Sequence, residues 1–203
     1  VIGVSAGGIH ALSTIIPVLP AAFPLPVIVV QHLSPHSDNY TIHYLDNISG
    51  IRVKEIDEKE KIMPGIVYAA PPNYHALVEE DETFSLSVED RINYARPSID
   101  VLFESAADVY ERRLIGVILT GANNDGSKGL KKIKDQGGLT VVQDPNTAEV
   151  DGMPRAALET TTVDHILQLE EIGPFLVKMA NQRLDLNQQK QGKSVRPRVR
   201  MFK

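Results

Sequence analysis

The chain opens Val1-Ile2-Gly3-Val4-Ser5-Ala6-Gly7-Gly8 and continues with Ile9, Leu12, Ile15, Ile16 and Leu19 at helical spacing. Four apolar, largely β-branched residues run into a serine set between glycines, and a helix period follows. This is a strand, a tight turn and a helix, with Gly3-x-Ser5-x-Gly7 at the turn. Glycines on both sides let the chain reverse without a Cβ in the way. Such a turn presents the Ser5 hydroxyl at the carboxyl end of a strand. A hydroxyl there can attack a carbonyl, and amides at the helix start can hold the resulting oxyanion. Two other readings compete. Ser5 can cap the helix, or the turn can be a dinucleotide phosphate loop, since Gly3, Ser5 and Gly8 stand where its three glycines are expected. That fingerprint expects an acid about 20 residues on, at the end of the second strand. The second strand ends Val29-Val30-Gln31-His32, without an acid, which counts against a nucleotide site.

Working outward, Pro26 to His32 is a near-continuous apolar run, as in a strand buried on both faces of a parallel sheet. Ile115-Gly116-Val117-Ile118-Leu119-Thr120 and Leu139-Thr140-Val141-Val142-Gln143 repeat the pattern, with helical stretches between. The expected fold is therefore a doubly wound α/β domain with a mainly parallel sheet and helices on both faces. An acidic tip, Glu80-Asp81-Glu82, joins two alternating runs into an antiparallel hairpin, which we place at an edge of the sheet. A helix is expected from Asp38 to Ile48 with Tyr40, Ile42, Tyr44, Leu45 and Ile48 partly inward. The longest helix should start after Pro97-Ser98, and a last one should run from Glu171 to about Leu184. In open α/β sheets ligand chemistry gathers beyond the carboxyl ends of the strands. Ser5, His32 and Asp125 are delivered there by three strands, and serine, histidine and aspartate together form the set that activates a hydroxyl. Their order is not the Ser, Asp, His order of α/β-hydrolases. His75, on a hairpin strand, reads as a structural histidine. His36 follows Pro35, so a helical pair of metal ligands with His32 is not expected.

With 203 residues the chain suits one domain with a small appendage. The boundary is expected near residue 186, with 187–203 a basic, disordered tail. Residues 190–203 hold six lysines and arginines and no acid; taking these from the net charge of −5 leaves −11 on the body. An acidic body argues against nucleic-acid binding. Cysteine is absent, which excludes disulfides and thiol nucleophiles and accords with a cytoplasmic location. No run is long enough to insert into a membrane.

The residues also carry a family resemblance. The blocks are Ile2-Gly3-Val4-Ser5-Ala6-Gly7-Gly8, Val29-Val30-Gln31-His32, Tyr68-Ala69-Ala70-Pro71-Pro72-Asn73-Tyr74-His75, Arg96-Pro97-Ser98-Ile99-Asp100, Gly116-Val117-Ile118-Leu119-Thr120-Gly121, Asp125-Gly126 and Gly152-Met153-Pro154. Together they resemble the catalytic domain of the bacterial chemotaxis protein-glutamate methylesterase family, CheB, over residues 1 to about 170. The resemblance implies a triad of Ser5, His32 and Asp125, hydrolysis of γ-glutamyl methyl esters on the cytoplasmic domains of chemoreceptors, and deamidation of receptor glutamines. It implies control by a receiver domain or a separate regulator. No cofactor or metal is called for, because an imidazole can activate the hydroxyl. Ala6, Gly7, Ala122 and Asn123 are the candidates for substrate or oxyanion contacts. The family usually carries methionine and glycine after Thr-Gly, where this chain has Ala122-Asn123, so the lining of the ester pocket differs. That difference motivates the alternative of a receptor-binding or scaffolding module with weak catalysis.

Overall fold

A computed structural model of the chain describes residues 1–32 and 40–193, with side chains described to residue 182. The strands are β1 (Ile2–Val4), β2 (Val27–Gln31), β3 (Arg52–Glu55), β4 (Ile66–Ala69), β5 (His75–Val78), β6 (Phe84–Ser87), β7 (Ile115–Ile118), β8 (Leu139–Gln143) and β9 (His165–Leu167). The helices are α1 (Gly8–Ile15), α2 (Tyr40–Ile48), α3 (Ile99–Tyr110), α4 (Ser127–Asp135), α5 (Gly152–Thr160) and α6 (Leu169–Lys193). Seven strands form one wholly parallel sheet in the order β3-β4-β2-β1-β7-β8-β9.

Strand β2 shows why the sheet is two-sided. Successive side chains point to opposite faces. Val27 and Val29 accordingly join the core formed with α1, α2 and α6, while Ile28 and Val30 join the core formed with α3, α4, α5 and the hairpin. Burying each such side chain contributes roughly 1.5–3 kcal/mol, so both faces select apolar residues and the run reads as continuous. Strand β1 lies between β2 and β7. The chain leaves β1 toward one side, completes β2 to β4, and returns to the other side with β7. The topology therefore reverses at β1, and the crevice beyond its carboxyl end is where such sheets bind ligands.

Four expectations need correction. The β5–β6 hairpin is a separate two-stranded sheet, not an edge of the large one. It packs on α3 through Ala76, Val78 and Phe84, because its apolar alternation needs a helix face to cover it. On α2 Leu45 is buried and Ile42 packs half-buried against the core, as expected, but Tyr40, Tyr44 and Ile48 are exposed, the two tyrosines stacking with ring centroids 6.2 Å apart. The longest helix is α6 and not α3, and α6 continues beyond Leu184 to Lys193. Residues 187–193, expected to lack regular structure, extend a helix already nucleated by packing, and extension avoids the cost of a new nucleus. Residues 194–203 of the basic tail lie outside the described residues, as does His36.

Candidate active site

Ser5 follows β1 directly. Its amide donates to the Thr120 carbonyl (2.9 Å) and its own carbonyl accepts from the Gly8 amide (2.9 Å), closing the turn into α1. Gly7 has φ +78°, and a Cβ there would come within 2.9 Å of Glu149, so the turn requires glycine at that position. His32 follows β2. The β1–β2 register pairs Val4 with Gln31, and the His32 amide donates to the Val4 carbonyl (3.0 Å), which sets His32 beside Ser5 on adjacent strands.

Asp125 arrives from the other side of β1, on the loop between β7 and α4. His32 Nε2 lies 2.8 Å from Asp125 Oδ2; the imidazole is 13% exposed and the carboxylate fully buried. With Nε2–H donated to Asp125, Nδ1 is the ring nitrogen left to receive a proton. The carboxylate is also held at the N-terminus of α3. The Ile99 amide donates to Oδ2 (2.7 Å), and Ser98 Oγ (2.8 Å), the Asp100 amide (3.2 Å) and Asn93 Nδ2 (3.1 Å) donate to Oδ1. Burial pushes the Asp125 carboxyl up, but the bonds from His32, the Ile99 amide, Asn93 and Ser98 outweigh it and hold the group below the usual aspartate range. An anion at a helix N-terminus has the amides and the dipole it needs. Ser98 takes part twice, since its hydroxyl also accepts from the Val101 amide and caps α3.

Sequence reasoning passed over three of these partners. Ser98 was legible only as a helix start, and Asn93 carried no signal in a stretch without periodicity. Asp100 sits on the first turn of α3, where acids are common. It is buried, with Oδ1 accepting from the Gly129 amide (2.8 Å) and Oδ2 from Asn93 Nδ2 (3.0 Å). Burial pushes its carboxyl up, the Gly129 amide pulls it back, and the Asp125 and Glu104 charges push again, leaving a pKa of about 6. In the unfolded chain an aspartate ionises near 3.9. Between about pH 4 and 6 the folded protein therefore keeps a proton that the unfolded chain has released, and the Asp100 contribution to stability falls as pH rises through that window. Relative to Asp100→Asn, wild type should lose on the order of 2–3 kcal/mol from pH 4 to pH 7. Urea unfolding of both proteins across that range measures it; parallel curves would show that Asp100 does not titrate there.

The other expected residues fall as follows. Ala6 is exposed, its carbonyl accepting from Thr120 Oγ1 (2.9 Å). Among the described residues no backbone hydrogen bond is donated by the amides of Ala6 and Gly7. Ala122 is exposed. Asn123 Oδ1 accepts from the Asp125 amide (3.1 Å) and thus shapes the turn that carries Asp125. Asn123 also lines a cavity of about 170 Å³ with His32, Arg91, Asn93, Tyr94 and Arg96. His75 is structural: it is 2% exposed, Nε2 lies 3.1 Å from the Asp90 carbonyl, and Nδ1 accepts from the Ser98 amide (3.2 Å). Gly121 packs against Ser5. A methyl added there would come within 2.0 Å of Met153 Sδ and 2.9 Å of Ser5 Cβ. The thioether can swing aside, whereas Ser5 is fixed by its backbone. Gly121→Ala should therefore destabilise by about 1–3 kcal/mol and lower ester hydrolysis further than stability, as chromogenic-ester kinetics beside a urea melt would show. Unchanged kinetics would mean that Met153 absorbs the crowding alone.

The sequence model of the CheB methylesterase family matches residues 1–176. This chain belongs to that family. A Leptospira interrogans protein, provisionally named protein-glutamate methylesterase/protein-glutamine glutaminase, is 56% identical over 185 residues, covering 91% of this chain and 96% of its own. The protein-glutamate methylesterase/protein-glutamine glutaminase of Thermotoga maritima is 38% identical over 182 residues, which is 88% of this chain and 53% of that one. The crystal structure of the Thermotoga maritima CheB methylesterase catalytic domain matches with a TM-score of 0.84 at 38% identity, covering 88% of this chain and 96% of that domain. The CheB fold is thus the fold described here, with its parallel sheet and separate hairpin. Among the described residues no helix is long and apolar enough to cross a membrane.

Proposed function

We propose that this chain is a protein-glutamate methylesterase, hydrolysing γ-glutamyl methyl esters on the cytoplasmic domains of chemoreceptors and deamidating receptor glutamines. The observation that carries the reading is the 2.8 Å bond from His32 Nε2 to a buried, ionised Asp125, one strand away from Ser5. In this mechanism His32 Nδ1 takes the Ser5 proton as Oγ attacks the γ-carbonyl. The imidazolium is stabilised by Asp125, and the amides of Ala6 and Gly7, with the Ala122–Asn123 loop, receive the oxyanion. Nδ1 then protonates the departing methanol, or ammonia from a glutamine. Water releases the acyl group by the same steps in reverse. A polypeptide delivering its ester to this crevice meets Arg91 and the solvent-exposed ring of Tyr94, which line the cavity beside His32. The names of the relatives support the substrate class. A receiver domain or separate regulator, a cytoplasmic location, and docking of the basic tail to acidic receptor surface belong to the same proposal.

The test is methanol release from methylated receptor preparations by the purified chain. Release at a rate well above the spontaneous one is expected. Receptor binding without methanol release would favour the scaffolding alternative, which the Ala122-Asn123 replacement motivates.

A further inference from the structure

Asn93 stands in a two-residue turn. The Ile92 and Ala95 amides and carbonyls bond each other (3.1 and 2.9 Å), and both turn residues are left-handed, Asn93 at φ 50° and Tyr94 at φ 64°. Asparagine tolerates that conformation, so the turn alone could account for the residue. Its side chain does something the turn does not require. Nδ2 donates one hydrogen to Asp125 Oδ1 (3.1 Å) and the other to Asp100 Oδ2 (3.0 Å). Both carboxylates are buried, 1% and 3% exposed. One neutral amide therefore stands between two acids that would otherwise face each other.

We propose that Asn93 is a positioning residue for the proposed esterase site: its amide separates Asp100 from Asp125 and so keeps the Asp125 negative charge directed at His32. The inference rests on the esterase reading for its consequence and on the two hydrogen bonds for its geometry. Without the amide, Asp100 Oδ2 loses the donor shown on it, since the Gly129 bond is to the other oxygen. Two buried like charges in proximity favour a proton shared between them. A proton donated by Asp100 to Asp125 Oδ1 would draw charge away from Oδ2, the oxygen that faces His32. The imidazolium formed during attack would then be less stabilised, which lowers kcat and leaves the binding of a small ester unaffected.

The test uses Asn93→Gly, because glycine adopts the left-handed turn without strain and removes only the amide. With 4-nitrophenyl acetate, kcat should fall roughly 10-fold to 100-fold, the range for losing a bond to a charged group, with KM unchanged. Adding Asp100→Asn should restore much of the loss, because it removes the opposing charge and supplies an amide that can keep its oxygen on Gly129. A role in the turn alone would not be rescued in this way. An Asn93→Gly protein within twofold of wild type overturns the proposal, and so does a loss that Asp100→Asn leaves in place. Thermal melts confirm that the variants fold, with Asn93→Ser as the second probe. The downfield His32 Nε2–H resonance gives a readout independent of turnover. It should weaken or shift in Asn93→Gly and return in the double variant, and an unmoved resonance counts against the proposal. If wild type hydrolyses no ester, the esterase reading fails and this resonance still decides the role of Asn93.

Discussion

Ser5→Ala is expected to lower ester hydrolysis by at least about a thousandfold while leaving the protein folded. The size follows from the chemistry. In the proposed mechanism the Ser5 hydroxyl is the covalent oxygen, and what remains is water attack assisted by His32 and the oxyanion amides. Stability should change little, since the bonds that close the turn run through the backbone of Ser5, to Thr120 and from Gly8, and alanine keeps both. A chromogenic ester measures turnover, and a fluorophosphonate probe measures the nucleophile itself, labelling wild type and not the variant. Near-normal turnover in Ser5→Ala would mean that another group attacks. Equal absence of turnover in both proteins would return the scaffolding alternative.

The second large effect belongs to Asp125→Asn, with a loss of about 10⁴ in kcat. Every bond described at this carboxylate comes from a donor: His32 and the Ile99 amide on Oδ2, and Ser98, Asn93 and the Asp100 amide on Oδ1. An asparagine amide must point its own hydrogens at one of those two sets. Turned toward His32, it makes Nε2 an acceptor and puts the ring proton on Nδ1, the nitrogen that has to take the Ser5 proton. Turned the other way, it sets its hydrogens against Ser98, Asn93 and the Asp100 amide and loses those three bonds. Either orientation also removes the charge that stabilises the imidazolium, so stability should fall together with activity. The control is Asp144→Asn. Asp144 caps a short helical turn by accepting from the Asn146 amide (2.9 Å) and should cost little activity. Full activity in Asp125→Asn together with inactivation in Asp144→Asn would show that the proposed carboxylate is wrong.

The contrast between these two aspartates shows how far local pattern reaches. Asp125 and Asp144 both follow buried apolar strands, and nothing in their immediate neighbours ranks one above the other. The strand-end reading grouped Asp125 with Ser5 and His32, the family blocks repeated it, and the order of β1, β2 and β7 brings Asp125 to His32. His32 and Asp125 come from the two strands that flank β1, whereas Asp144 follows β8, one strand further out. Strand-to-loop positions were readable because a strand buried on both faces must be apolar throughout, and polar residues then mark where it ends. The glycine-flanked turn at Ser5 was readable because backbone reversal restricts residue type at the turn itself. In these cases cause and effect lie within a few residues of each other.

The rest is non-local. Whether a hairpin joins a sheet edge or lies on a helix depends on which apolar face it meets, and the β5–β6 alternation is the same in either case. The shell around Asp125 draws on Asn93, Ser98, Ile99 and Asp100, which lie 25 to 32 residues before it. Read alone, each has an ordinary local role as turn residue, helix cap, apolar stripe or first-turn acid. The amino-acid sequence by itself determined the α/β architecture, the strand ends and the three residue types that could work together. Only the tertiary structure decided which donors hold the buried carboxylate and which imidazole nitrogen faces it. A hydrogen bond acts over about 3 Å, and those distances are set by how separate elements pack.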